Sequence, residues 1–337
     1  MHDLIVIGTS AGGVEALRTV VAGLPPRLPA AVLVVMHMSP RSPHLLPQIL
    51  RRSGPLEVAA TIDGAPVQPG KVYVAPPDHH LVVKDDHIRL TKGPKENRSR
   101  PAIDPLFRTA AMGYGPRVIG VILTGMLDDG TAGLAAVRER GGLSIVQDPE
   151  EALYSSMPRS AVRHVGADFV ARLVDIPPLL TTLVGEPPKP AQGLPLSRLR
   201  EVEFKFDQME TPTMEDLDAI GSRAALTCPE CHGPLWKLAD PTLQRFRCLI
   251  GHAYTAQGNL EAQIDGQEDY LSQALRLMKE RASLILELMA PGEDRQTAEE
   301  RAMYEAQLKQ LEKNMSTIRA MLEENGSPAA DVPSRND

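Results

Sequence analysis

Hydrophobic residues in the first half of the chain follow two alternating patterns. Uninterrupted apolar runs, as at residues 4–7 and 31–35, are typical of strands that are buried on both faces of a parallel sheet. Each run leads into a turn and then into a predicted helix, as over 14–24, where apolar residues have helical spacing. A further buried strand is predicted over 118–123. The repetition predicts a doubly wound α/β fold with a mainly parallel sheet.

Residues 56–91 break this alternation. Short segments of alternating polarity, at 71–75, 81–83 and 87–90, lie between Gly, Pro and Asp turns. This pattern favours antiparallel hairpins over further parallel units. We therefore expect one or two hairpins inserted into the parallel fold.

The second half of the chain has another organisation. A proline-rich stretch predicts a linker, and two later stretches carry apolar residues at steps of three and four, as in a pair of helices separated by Pro291-Gly292. The two apolar seams can close on each other as the core of a hairpin, or one seam can bind a partner. The predicted segments are a first domain (1–185), a linker (186–224), a cysteine-containing segment (225–257), an α-helical hairpin (258–325) and a disordered tail (326–337).

Length, charge and hydropathy restrict the class of protein. A chain of 337 residues is long enough for more than one domain. The net charge of −7 gives no sign of the basic surface that nucleic-acid-binding proteins carry. The sequence has no secretory signal pattern and no apolar run near the ~18 residues of a membrane span. We expect a cytoplasmic protein with no nucleic-acid partner and no membrane insertion.

The turn after the first strand carries a candidate nucleophile. Gly8-Thr-Ser10-Ala-Gly12 has the G-x-S-x-G spacing of a nucleophile elbow, between a buried strand and a helix. In such an elbow the serine hydroxyl points out above the sheet, and free N–H groups at the helix N-terminus face an oxyanion. The same glycines can also form an ordinary βα turn or bind a phosphate, so the motif alone leaves both interpretations open.

Two further predicted strands end in residues with complementary chemistry. One leads to His37, and a later one leads to Asp128 and Asp129. Because the carboxyl ends of parallel strands line one crevice, a serine, a histidine base and an orienting aspartate are expected to converge there. Taken singly, the histidine and the Asp-Gly pair also fit ordinary structural roles.

A dinucleotide-binding fold is the main alternative for a glycine-rich first turn. Such folds usually place an acid near the end of the second strand, where it binds a ribose, but this chain has His37 there. The glycines at 8, 12 and 13 also depart from the G-x-G-x-x-G spacing. We therefore predict a serine hydrolase.

Five motifs within residues 4–165 resemble those of the catalytic domain of CheB, the chemotaxis protein-glutamate methylesterase. They are Ile7-Gly-Thr-Ser10-Ala-Gly-Gly13, His37-Met-Ser-Pro40, Ala75-Pro-Pro-Asp-His-His-Leu81, Ser99-Arg-Pro-Ala-Ile-Asp104 with Leu106-Phe107, and Leu123-Thr-Gly-Met-Leu-Asp-Asp-Gly130. The resemblance implies a triad of Ser10, His37 and Asp129, and so it selects Asp129 over Asp128. It also implies that a main-chain N–H near Met126 helps to hold the oxyanion.

The resemblance implies an activity as well. It is the hydrolysis of γ-glutamyl methyl esters on chemoreceptor-type proteins in a chemotaxis signal-transduction pathway, with deamidation of receptor glutamines as a second reaction. Acyl transfer through Ser10 serves both reactions without a cofactor. Arg98 and Arg100 are candidates for contacts with an acidic receptor surface, and ordinary solvated arginines are the alternative.

The chain departs from the typical family member at its start. Typical members carry an N-terminal receiver domain whose phosphorylation unmasks the active site, whereas here the first catalytic strand begins almost at Met1. We therefore expect a stand-alone form that is not controlled by phosphorylation within the same chain. A separate receiver or regulatory protein that binds the C-terminal helices is a candidate partner in the phosphorelay.

Three cysteines and a histidine form a second candidate site. Cys228 and Cys231, followed by Cys248 and His252, have spacings suited to a tetrahedral zinc ion. Four protein ligands close the coordination sphere, so we expect a structural zinc in a zinc-ribbon-like segment. Free thiols or a redox Cys-x-x-Cys are the alternatives, but the βαβ context of a redox motif is missing here.

Two functions of different classes remain. The first is a serine methylesterase that acts on a protein substrate. The second is a catalytically idle signalling scaffold built on the same fold. The presence of Ser10, His37 and Asp129 together favours the enzyme.

Overall fold

The computed structural model describes residues 1–188, 196–290 and 297–325. Three sequence-based expectations fall partly or wholly outside the described residues. They concern most of the proline-rich stretch, the Pro291-Gly292 break and the predicted disordered tail, 326–337. The chain forms two compact units, one from residue 1 to 259 and one from residue 260 onward.

A parallel sheet is the centre of the first unit. The strands of residues 1–188 are β1 (Leu4–Thr9), β2 (Ala31–Met36), β3 (Glu57–Val58), β4 (Lys71–Val74), β5 (His80–Lys84), β6 (His87–Thr91), β7 (Val118–Ile122), β8 (Leu143–Gln147) and β9 (Phe169–Ala171). Seven of them form a sheet in the order β3-β4-β2-β1-β7-β8-β9, and every neighbouring pair is parallel. Its central strands are the predicted apolar runs, and they are buried on both faces.

Helices cover both faces of this sheet. They are α1 (Gly13–Gly23), α2 (Leu46–Arg51), α3 (Ile103–Tyr114), α4 (Thr131–Glu139), α5 (Ser156–His164) and α6 (Ile176–Gly185). One core lies under α1, α2 and α6, with Leu17 and Leu180 among its fully buried residues. The other lies under α3, α4 and α5, with Phe107, Leu134 and Met157. The predicted doubly wound α/β fold is confirmed.

The segment predicted as inserted hairpins divides between two sheets. Strands β5 and β6 form an antiparallel hairpin, as expected. Strand β4, however, pairs in parallel with β2 inside the main sheet. Because Val72, Tyr73 and Val74 are all buried, β4 has no solvent-facing side, and its apparent alternation did not reflect exposure.

Residues 196–224, predicted as part of a linker, differ from that prediction. They contain helices α7 (Arg198–Asp207) and α8 (Met214–Asp218). Helix α7 buries Leu199, Val202 and Phe206, one helical face, in a small core shared with Trp236. Thr213 closes a capping box at the start of α8. Residues 196–224 therefore belong to a folded region.

An antiparallel sheet of four strands completes the first unit. It consists of β10 (Gly221–Thr227), β11 (Pro234–Leu238), β12 (Arg245–Cys248) and β13 (Ala253–Thr255), in that order. Together with α7 and α8 this sheet forms a C-terminal module, which buried ion pairs join to residues 1–188. Arg247 on β12 binds Glu96 at 2.9 Å, and Arg108 on α3 binds Asp207 on α7 at 2.6 and 2.9 Å. Buried charges are stable only when paired in this way.

The second unit contains most of α9 (Ala256–Leu288) together with α10 (Ala298–Asn325). Its core is a small cluster in which Ile285, Leu311 and Met315 are buried. These residues belong to the two seams that the sequence predicts. Among the helices in the described ranges, none combines the length and the apolarity needed to cross a bilayer.

Candidate active site and metal cluster

Three adjacent strands at the centre of the sheet carry the predicted triad. Strand β1 lies between β2 and β7, where the strand order reverses. Ser10 follows β1, His37 follows β2, and Asp129 lies in the loop between β7 and α4. Because the strands are parallel, all three residues lie at the same edge of the sheet, where ligands bind in open α/β folds.

The turn after β1 has the geometry of an elbow. The Ser10 N–H donates to the Thr124 carbonyl at 3.1 Å, and this bond ties the turn to the loop after β7. Gly12 adopts a φ of 76°, a left-handed conformation that favours glycine, at the start of α1. Ser10 and His37 line one open surface pocket together with Met36 and the first residues of α1.

His37 and Asp129 form the closest contact of the site. Nε2 of His37 lies 2.6 Å from Oδ2 of Asp129. Nδ1 is therefore the ring nitrogen that remains for a second partner. The structure contains no hydrogen bond between Ser10 and His37, both of which are described, although they share the pocket.

Asp129 is buried but stays ionised. Burial raises the pKa of this carboxyl, but the hydrogen bond and charge of His37, together with bonds from the Ile103 N–H and the Asn97 amide, lower it to about 2. A carboxylate that accepts several N–H donors keeps its charge in this way. It is thus suited to orient an imidazole and to stabilise its cationic form.

Two neighbouring carboxyls behave in the opposite way. Burial, and then the charge of Asp129, raise the pKa of Asp104 well above its usual range. Burial also raises the pKa of Asp128, to about 6, although Thr255 donates a hydrogen bond to it. The site therefore combines one acid with a lowered pKa, Asp129, and two acids with raised pKa values, Asp104 and Asp128.

Two main-chain N–H groups directly follow Ser10 and Gly125 in the chain. The N–H groups of Ala11 and Met126 donate to no acceptor among the described residues. Gly125 approaches so closely that a Cβ added there would lie 3.0 Å from Cβ of Ser10. Met126, the predicted oxyanion residue, is therefore next to the close contact, and its side chain is exposed.

The two predicted substrate-binding arginines have different surroundings. Arg100 is engaged within the protein: it binds Asp78 through Nε and Nη2 at 2.9 and 2.6 Å and donates to the carbonyls of Lys92 and Gly93. These bonds give Arg100 a structural role. Arg98 is exposed and has a φ of 66°.

The predicted metal ligands also come together. The ligand atoms of Cys228, Cys231, Cys248 and His252 all lie within 4.8 Å of one another. Nδ1 of His252 is 3.5 and 3.7 Å from the sulfurs of Cys248 and Cys228, and the Cys231 and Cys248 sulfurs are 3.6 Å apart.

These separations fit a tetrahedral ion. Zn–S bonds of ~2.3 Å and Zn–N bonds of ~2.0 Å place neighbouring ligand atoms roughly 3.5–3.8 Å apart. The sulfurs are too far apart for a disulfide, and all three cysteines are free. The residues therefore fit a structural zinc, which Cys228, Cys231, Cys248 and His252 would hold.

Sequence reasoning missed three residues around the triad. Asn97 bonds to Asp129, Thr255 bonds to Asp128, and Leu153 lies against Gly12. Asn97 is 32 residues from Asp129 in the chain, and Thr255 is 127 residues from Asp128. No local pattern signals contacts at such separations.

Comparison with known proteins agrees with the fold and the motifs. A model of the CheB methylesterase family matches residues 5–180. A putative protein-glutamate methylesterase/protein-glutamine glutaminase of Leptospira interrogans is 39% identical over 183 residues, which cover 54% of this chain and 95% of that protein. A protein-glutamate methylesterase/protein-glutamine glutaminase of Nocardioides sp. is 40% identical over 181 residues, or 52% of this chain and 49% of that protein. The chain thus spans about half the length of the Nocardioides relative.

A solved structure agrees as well. The Thermotoga maritima CheB methylesterase catalytic domain aligns over its whole length with 55% of this chain, with a TM-score of 0.52 and 38% sequence identity. The part of the chain that matches the family model, residues 5–180, ends before α7, so it excludes the metal cluster. On the family match, the motifs and the shared fold, the chain belongs to the CheB methylesterase family.

Proposed function

We propose that this protein is a protein-glutamate methylesterase that uses Ser10, His37 and Asp129 as a catalytic triad. The observation that carries the proposal is the 2.6 Å bond between His37 and a buried, ionised Asp129 beside the serine of an elbow turn. The names of the relatives, which include methylesterase and glutaminase, support the choice of reaction.

The proposed reaction is acyl transfer in two stages. Ser10 Oγ attacks the carbonyl carbon of a γ-glutamyl methyl ester while His37 Nδ1 takes its proton. The N–H groups of Ala11 and Met126 would stabilise the oxyanion of the tetrahedral intermediate. The intermediate expels methanol, which receives the proton from His37. Water then attacks the acyl-enzyme with help from His37, which frees the glutamate and restores Ser10. An amide substrate would release ammonia instead.

The proposed substrate is a methylated chemoreceptor-type protein. Large apolar side chains are exposed around the elbow: Met126 is 55% and Leu153 is 76% exposed. An apolar surface of this kind is suited to a protein partner. Arg98 remains a candidate for contact with acidic receptor residues. The three free thiols suit a reducing compartment, so the proposal includes a cytoplasmic location.

The proposal also includes a separate receiver or regulatory protein that binds the helices of the second unit. Large apolar residues there are exposed, among them Leu277 and Leu284, at 57% and 56%. They lie outside the small core that the two helices share.

The test is methanol release from a methylated receptor by the full chain and by Ser10→Ala. We expect release by the full chain, no release above background by Ser10→Ala, and an unchanged rate for Ser222→Ala, a control at an exposed serine of β10. Equal rates with and without Ser10 would rule out the triad. No release by any form, combined with normal folding, would favour the scaffold.

A further inference from the structure

The metal cluster is connected to the triad by a short strand. Strand β13 begins directly after His252, and its main chain pairs with the loop before α3. The Asn97 N–H donates to the Ala253 carbonyl at 2.8 Å, and the Ala253 N–H donates to the Lys95 carbonyl at 3.3 Å. The cluster and the catalytic half thus share a main-chain contact.

The Asn97 side chain continues this contact to the catalytic carboxylate. Its Nδ2 donates to Oδ1 of Asp129 at 2.9 Å and to Oδ2 of Asp104 at 3.2 Å. Its Oδ1 accepts the Thr255 N–H at 3.2 Å. Only this amide orientation directs both donors at carboxyl oxygens and the acceptor at an N–H, so β13 fixes the rotamer of Asn97.

Thr255 makes a second connection, to the neighbour of the catalytic acid. Its hydroxyl donates to Oδ1 of Asp128 at 2.7 Å and accepts the Gly258 N–H at 3.0 Å in the first turn of α9. The last residue of β13 therefore contacts Asp128 through its side chain and Asn97 through its main chain.

A buried ion pair lies beside the contact between β13 and the loop before α3. Glu96, which precedes Asn97, binds Arg247, which precedes the ligand Cys248, at 2.9 Å. Both side chains are at most 4% exposed. The residue before Asn97 and the residue before Cys248 are therefore paired with each other.

We propose that the Cys3His module is a metal-dependent brace for the triad, in which ion binding fixes β13, β13 fixes Asn97, and Asn97 holds the Asp129 carboxylate in place. Asn97 is then a positioning residue that acts through Asp129. The inference rests on the proposed function, because it concerns the same triad. A structural ion contributes folding free energy to the segment that supplies its ligands, and here that segment includes β13.

The first arm of the test is Asn97→Asp in the full chain. Aspartate tolerates the left-handed backbone of Asn97, where φ is 47°, but it replaces two N–H donors with a negative charge. We expect kcat to fall about 10–100-fold with little change in KM, and the acidic limb of the pH–kcat profile to move to higher pH. A second variant, Thr255→Val, keeps the shape of the side chain and should show a smaller fall.

The second arm removes the ion. Elemental analysis should find one zinc per chain, and chelation should lower kcat to the level of Asn97→Asp, with recovery when zinc is returned. Removal of zinc from Asn97→Asp should lower kcat little further, because metal removal and the substitution act on the same contact. His252→Cys, which keeps four ligands, should retain zinc and activity, whereas His252→Ala should lose zinc and show the lowered kcat of the chelated chain.

The reaction of Ser10 with a fluorophosphonate separates the two proposals, because that reaction needs the triad but not the natural ester. A full chain that is labelled quickly but releases no methanol would overturn the proposed substrate and leave the brace intact. A labelling rate that is unchanged after complete zinc removal, or a pH profile unchanged in Asn97→Asp, would overturn the brace.

Discussion

His37 Nε2 lies 2.6 Å from Asp129 Oδ2, which leaves Nδ1 as the ring nitrogen that would take the Ser10 proton in the proposed triad. Asp129 Oδ2 also accepts the Ile103 N–H at 2.7 Å. The carboxylate is therefore fixed by the start of α3 before it orients the imidazole. This arrangement makes the charge of Asp129, and not only its shape, important for the tautomer of His37.

Asp129→Asn tests that charge. An amide nitrogen in place of Oδ2 would face the Ile103 N–H and would disfavour the tautomer that leaves Nδ1 free. In the flipped orientation it would take the place of Oδ1 and face the donors of Asn97 and Gly130. We expect kcat to fall about 10³–10⁴-fold, the scale found for the corresponding change in serine proteases. Steady-state methanol release measures it, and an activity within tenfold of wild type would contradict the assignment.

Gly125→Ala tests the close approach at the nucleophile. The added Cβ would lie 2.5 Å from Cε of Met157 and 3.0 Å from Cβ of Ser10, so either side chain must move. Because small misplacements of reacting groups are costly, we expect kcat to fall about 10–100-fold.

Gly113→Ala is the matched control for that change. Gly113 lies in α3, and an added Cβ would meet no atom within 4 Å. This variant should keep full activity and gain up to about 1 kcal/mol of stability from helix propensity. Equal activity losses in the two variants would show that the contact with Ser10 is not the cause.

Asp128→Asn should change how stability depends on pH. In the folded state the pKa of Asp128 is raised to about 6, so the wild type binds a proton there that the unfolded chain has already released. Its free energy of unfolding should therefore fall as pH rises from ~4 to ~6, by up to about 3 kcal/mol from this group.

Asparagine does not titrate, so Asp128→Asn should not show this fall in the free energy of unfolding as pH rises. Denaturant unfolding at about pH 4.5 and pH 7.5 should show that Asp128→Asn is more stable relative to wild type at the higher pH. The exposed control Asp269→Asn should follow the wild type at both values. A pH-independent difference for Asp128→Asn would contradict the raised pKa.

Glu203→Gln tests the buried ion pairs that join α7 to β12. Glu203 is fully buried and binds Arg245 at 2.6 and 2.9 Å and Arg200 at 2.9 Å. Loss of its charge leaves buried arginines with too few partners, at a cost of about 3–5 kcal/mol in the free energy of unfolding. Glu201→Gln, at an exposed position of the same helix, should cost less than about 0.5 kcal/mol.

Sequence reasoning predicted the sheet and the positions of Ser10, His37 and Asp129 because those features are local. A buried run followed by a glycine turn identifies a βα unit wherever it occurs. The parallel order of the strands then brings the three residues to one edge. Which aspartate bonds to His37 depends on loop geometry, and only the family motif indicated Asp129.

The parts that sequence reasoning missed depend on long-range contacts. Helix α7 was not predicted because its charged residues suggest a segment exposed to solvent. In the structure, Arg200, Glu203 and Asp207 are buried in ion pairs. Its apolar positions 199, 202 and 206 were the available signal. Asn97 and Thr255 carried no signal, because their partners are distant in the chain.

The ion pairs around Arg108 also bear on how such proteins evolve. Arg108 and Glu96 belong to the part of the chain that matches the family, but their partners Asp207 and Arg247 lie beyond it. A relative that lacks the module would keep the pair between Arg108 and Glu96 but would lose the second partner of each. We expect residues at these two positions to covary with the presence of the module across the family. An alignment of the shared domain alone would then indicate which relatives have a fused module.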